Sequence, residues 1–241
     1  MTTAKKAAMF HSRNETEGKV ADNRRNWRAA LAFGLLAFAL AIVNMIQGVP
    51  DCGAPLPAAM LDFELALTRA QFAAVLDCAP RLAALDLGNI VDLLLFMWAY
   101  GGLLTFFALA VGVPRAVAVG LGVLIVGSDF VETTALRHIA AAWPALDEEL
   151  VMPLAVAARV KFAGIAAIML LTALPLRRRG PGARLVAGLA VAGAAGSLAI
   201  IHPDGRVVGT ALITVAWLAM TIHAGISTVR ARRAAQAAGA S

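Results

Sequence analysis

Two carboxylates three residues apart, Asp129 and Glu132, stand inside the apolar run 117–138, VAVGLGVLIVGSDFVETTALRH. Residues at i and i+3 share a helix face. An ionised group in hydrocarbon costs roughly 2.5–3.5 kcal/mol on insertion scales, so it pairs, faces a water-filled cavity, or serves protons and ligands. The chemistry on offer is that of a general base, a proton carrier or a counter-charge for a bound ligand. Arg159 and Lys161 lie in the next apolar run, Arg137 lies near the end of the acidic one, and the preceding run carries Asp92 and the only tyrosine, Tyr100. The candidate ligand-binding or ion-pair cluster is therefore Asp92, Asp129, Glu132, Arg137, Arg159, Lys161 and Tyr100.

Depth narrows the pairings. At about 1.5 Å of rise per residue, Glu132 falls roughly 11 Å and Asp129 roughly 16 Å below the nearer membrane boundary. On the same scale Arg159 falls about 10 Å deep, Lys161 about 13 Å, Asp92 about 6 Å and Arg137 about 4 Å. Depth matches Glu132 with Arg159 and Asp129 with Lys161. Rotation conflicts with that match, because positions i and i+2 stand roughly 200° apart around a helix. On a straight helix one of the two cations turns away, toward Asp92 or, by snorkelling, toward an interface. Arg137 is shallow enough to meet headgroups.

Other chemistries lack their residues. His11, His138, His202 and His223 are scattered, with no His-x-x-x-His or Glu-x-x-His pair, so no metal is expected. There is no glycine-rich phosphate loop, no Gly-x-Ser-x-Gly elbow and no Cys-x-x-Cys pair, and no cofactor is expected.

The elements that must position these groups are membrane spans. The chain of 241 residues is 60% hydrophobic and 15% charged, against about 45–50% apolar and 25% charged in soluble domains. Spans are expected at 27–48, 88–113, 116–141, 152–176, 184–201 and 206–229, giving an all-α, six-transmembrane-helix bundle. Residues 1–26 form a polar tail, 27–229 the membrane domain and 230–241 a second tail. The long connection 49–87 reads as a cap of two short helices, 58–67 and 69–78, the second opened by a Thr68/Gln71 capping box. Cys52 and Cys78 both fall in it, and would bridge in an oxidising compartment or stay free.

The net charge of +6 comes from basic residues beside the spans, a topology signal and not a nucleic-acid surface. The tails, Arg115 and the Arg177–Arg184 turn share one side. The cysteine loop, Asp147, Glu148, Glu149 and Asp204 share the other. A multi-pass inner-membrane protein with both termini cytoplasmic and the cap extracytoplasmic is expected. Gly188, Ala192 and Gly196 form a small-residue ridge suited to close helix contact, including homo-oligomerisation, and Arg177-Arg178-Arg179 is a topology anchor that can touch anionic headgroups.

With Phe63-Glu64-Leu65-Ala66 in the cap, Asp92, Asp129-x-x-Glu132 and Lys161, the middle of the chain resembles uncharacterised polytopic bacterial inner-membrane proteins. Their pattern would run Asp-x-x-Glu-Asn, and Thr133 stands here at the Asn place. The resemblance implies a membrane bundle and no particular activity.

Three functions fit these residues. The first is a charged pocket, open to the extracytoplasmic side, that binds or transports a small polar or anionic ligand, with proton coupling. The second is an intramembrane enzyme acting on a lipid or isoprenoid, with Asp129 or Glu132 as base; no nucleophile–base–orienter set accompanies it. The third is a noncatalytic assembly subunit held by structural ion pairs.

Overall fold

The computed structural model describes residues 22–43, 48, 50, 52, 59–146 and 148–239. It is an all-helical bundle with no strand among the described residues. Helix α1 (Asp22–Val43) is followed by the short cap helices α2 (Ala59–Glu64) and α3 (Arg69–Leu76). Helix α4 (Ala79–Val91) runs through a π-helical turn, Asp92–Phe96, into α5 (Met97–Val111). Then come α6 (Arg115–Ala142), α7 (Val151–Leu176), α8 (Pro181–Ala199) and α9 (Arg206–Gly239). Taking α4 and α5 as one rod, six helices among the described residues are long and apolar enough to cross a membrane.

Local sequence explains the breaks. Thr68 accepts from the Gln71 amide while the Gln71 side chain accepts from the Thr68 amide at 3.1 Å, the expected capping box. Helix α5 ends at Gly112, whose φ of 101° only glycine adopts readily, and Pro114 prevents its continuation. The Val111 carbonyl left over there accepts from Arg179 Nη2 at 2.9 Å. Hydroxyls within the spans return to the carbonyl four residues back: Thr172 to Ile168, Ser197 to Gly193, Thr221 to Trp217. Lipid offers such groups no partner, so this local bond keeps them satisfied.

Helix α7 is the most enclosed span and touches α5, α6 and α8. Helices α8 and α9 meet at Gly196 and Gly209. A Cβ on Gly196 would come within 2.8 Å of the Gly209 carbonyl oxygen, and one on Gly209 within 2.5 Å of that of Gly196. Trp27 fastens α1 by packing edge-on against Phe107 at 5.4 Å and His223 at 5.6 Å. A second, smaller core lies under the cap, where Phe63, Phe72 and Leu76 meet Leu85, Leu136, Ile139 and Leu154.

The cap departs from expectation at one end. Residues 79–87, assigned to the long connection 49–87, already belong to the second rod, which begins at Ala79 with Pro80 in its first turn. The two cap helices are each shorter than expected. At the other end of the chain, α9 continues through Arg230, Arg232 and Arg233, residues assigned to a tail. Residues 1–21, 44–47 and 147, and with them the expectations for His11 and Asp147, lie outside the described residues.

Several ties hold the cap. Cys52 and Cys78 are bridged, with their Cα atoms 6.3 Å apart. Trp143 Nε1 donates to Asp77 at 2.9 Å, and Arg69 donates to the Pro144 carbonyl at 3.1 Å. Closing a loop of this length constrains the unfolded cap by about 3 kcal/mol. Cys52→Ser/Cys78→Ser is therefore expected to speed amide exchange and proteolysis in α2 and α3 while exchange in α7 stays at its original rate.

Candidate functional site

On α6, Ile125, Asp129, Glu132, Thr133 and Leu136 share the buried face. Spacings of three and four place both acids over α7. On α7 the facing residue is Lys161, with Leu154, Ala158 and Ile165 on the same stripe. All three charged groups are enclosed: Asp129 is 1% exposed, Glu132 0% and Lys161 6%. Lys161 Nζ donates to Glu132 Oε1 at 2.7 Å and to Asp129 Oδ1 at 3.0 Å.

Its third partner comes from the cap. Glu64, the last residue of α2, accepts from Lys161 Nζ at 3.0 Å. An ammonium has three protons and no lone pair, so Lys161 spends all three on carboxylates from two different elements. The other oxygen of Asp129 accepts from the Tyr100 hydroxyl at 2.5 Å. The other oxygen of Glu132 is buried without a partner among the described residues.

Asp92 joins from the π-helical turn. The extra residue in that turn sets Asp92, Phe96 and Tyr100 on one side of the rod, all three lining one cavity. Such turns recur at functional sites because they re-aim side chains inside an otherwise regular helix. Asp92 Oδ2 accepts from the Thr133 hydroxyl at 2.9 Å. The cavity is about 170 Å³, bounded by Glu64, Asp92, Asp129, Lys161 and the rings of Phe96, Tyr100 and Phe162, with Ile213 of α9 opposite. Trp217 stacks on Tyr100 with centroids 5.2 Å apart. Leu61 of α2 and the exposed Thr210 of α9 also line it, and beside them Asp62 and Arg206 form an ion pair joining α2 to α9.

Of the seven residues expected to cluster, Asp92, Tyr100, Asp129, Glu132 and Lys161 come together. Arg159 does not. It turns away as the rotation argument requires, and its guanidinium donates to the Ala155 carbonyl of its own helix at 2.8 Å. The depth match of Glu132 with Arg159 is overturned, because Lys161 takes both acids. Arg137 is separate too, pairing at 3.2 Å with the half-exposed Asp86 of α4. The ridge residues divide: Gly196 packs within the chain against α9, whereas a Cβ on Gly188 would meet nothing within 4 Å.

Glu64 went unnoticed as a site residue, although it stands in the Phe63-Glu64-Leu65-Ala66 segment. Nothing in one sequence fixes how a cap helix folds back over a bundle. Among the described residues no three His, Cys, Asp or Glu side chains are arranged so that they could hold a metal ion. No protein-family model, curated protein or solved structure matches the chain.

Losing the ammonium would leave buried carboxylates facing one another. Lys161→Met is expected to destabilise the bundle by about 3–5 kcal/mol. Adding Asp129→Asn and Glu132→Gln should recover much of that loss, and Arg159→Met should stay within about 0.5 kcal/mol of the original. Thermal and denaturant unfolding of the purified protein in detergent checks the series.

Proposed function

We propose that the protein binds a small organic cation, an amine of few heavy atoms, in the cavity under α2, in exchange for protons held by the same carboxylates. The supporting observation is the charge balance of the cluster. Glu64, Asp92, Asp129 and Glu132 are four acids grouped around one ammonium, Lys161. With all four ionised, three negative charges remain unmatched in a site shielded from water. Low-dielectric surroundings make that arrangement costly, so protons or a bound cation complete it. An anionic ligand would add to the surplus, so of the small polar or anionic ligands expected from the sequence this reading keeps the polar one and gives it a positive charge.

The lining favours an organic cation over a bare metal ion. Phe96, Tyr100 and Phe162 border the cavity beside the acids, and aromatic faces attract ammonium groups. Metal-ligating side chains in the grouping a metal needs are missing among the described residues. In this reading the cap faces the extracytoplasmic side of an inner membrane, which the basic connections at the other end and the Cys52–Cys78 bridge support. The ligand would then enter between Leu61 and Thr210.

The test is proton release. Purified protein in weakly buffered detergent at neutral pH is titrated with ethylammonium or tetramethylammonium, and a pH indicator reports protons set free. About one proton is expected per cation bound, and Asp92→Asn should weaken binding by about tenfold or more. Acetate should do nothing. Absence of both binding and proton release for each cation would leave the cluster as a fastener between helices and refute the proposal.

A further inference from the structure

A second cleft lies at the opposite end of the bundle, between the last turns of α7 and the first turns of α8. Its volume is about 390 Å³, and its walls are apolar: Leu170 and Leu174 from α7, Gly188 and Val191 from α8. At its head stand two guanidiniums, Arg177 and Arg184, one on each side of the connecting turn. Both are exposed, and among the described residues neither meets a carboxylate. The stretch from Leu150 to Pro203 contains no Asp or Glu, so neither α7 nor α8 supplies one. A Cβ at position 188 would meet nothing within 4 Å, so the cleft is open at that wall.

An apolar trough ending in two uncompensated cations at a membrane boundary has the shape and charge of an amphiphile's counterpart. We propose that this cleft binds one acidic phospholipid from the leaflet on the basic side, its phosphate between Arg177 and Arg184 and one acyl chain along Leu170, Leu174 and Val191. From residue 177 to residue 170 the trough runs about 10 Å, two thirds of the roughly 15 Å of hydrocarbon in a single leaflet. A second copy of this chain is the poorer occupant. A symmetric contact through this face brings Arg177 and Arg184 against their own equivalents, and Arg178 and Arg179 add to the repulsion. Arginine suits the role because its planar fork grips phosphate oxygens in pairs.

The experiment is a lipid titration of the full chain in detergent, followed by native mass spectrometry with phosphatidylglycerol or phosphatidylcholine. Phosphatidylglycerol should bind the original protein more tightly. Arg177→Gln/Arg184→Gln should weaken it by about twenty-five-fold, from two basic contacts near a membrane surface at roughly fivefold each, with phosphatidylcholine binding unchanged. Gly188→Leu should weaken both lipids by filling the trough. Arg232→Gln/Arg233→Gln removes the same charge from α9 and should change nothing, and millimolar inorganic phosphate should not displace the lipid. Equal losses in the two arginine pairs, displacement by free phosphate, or a dimer that excludes lipid would each overturn the assignment. Unchanged unfolding temperatures of the variants, verified alongside, show that a loss of binding is not a loss of fold.

Discussion

The bundle is built around the need to keep one ammonium surrounded by oxygen. Lys161 sits on the most enclosed helix, and withdrawing its charge from water costs several kcal/mol before any contact is made. Two carboxylates on α6 and one on α2 compensate at 2.7–3.0 Å. That requirement makes α6 the neighbour of α7, fixes the rotation of both, and brings the cap down over their ends. Apolar packing supplies most of the attraction elsewhere, but it is non-directional and would tolerate other rotations. The ion cluster does not.

The acids reach the cluster by different local devices. On α6, regular helical spacing is enough, since Asp129 and Glu132 fall one turn apart. On the second rod, regular spacing gives way to the π turn at Asp92–Phe96, which carries Asp92 and Phe96 to the same cavity as Tyr100. On α2, the helix simply ends at Glu64, where a free end allows the side chain to reach downward. The bridge from Cys52 to Cys78 and the bond from Trp143 to Asp77 then keep the cap close enough for that reach.

Hydropathy alone located the membrane helices, because runs of about twenty apolar residues have few alternatives. Depth counting brought Asp129 and Lys161 to one level, and the 200° separation of Arg159 from Lys161 required one of them to turn away. Which of the two turned depends on how α7 rotates in the bundle, a property of packing among α5, α6 and α8 that no single helix encodes. The start of the second rod was hidden for another reason. Arg81 and Asp86 lie beyond the apolar stretch, and there a helix no longer needs to be hydrophobic. Glu64 was obscured most deeply, since its role rests on a tertiary contact across 97 residues of chain.

The cluster carries more acid than the pairing of Lys161 alone requires. A structural pair does best when each buried charge is matched, and a well-packed apolar pair of similar volume often does as well or better. Here Glu64 could be dispensed with and Lys161 would still be matched twice over. Its helix also carries Asp62, paired with Arg206 beside the cavity. One six-residue helix thus holds both a ligand of the central ammonium and a tie to α9. If the proposed cation enters, it competes with Lys161 for Glu64, and any displacement of Glu64 pulls on the Asp62–Arg206 tie. Occupancy of the cavity and position of the cap are then linked through a single rigid element, with no need for motion in the transmembrane rods.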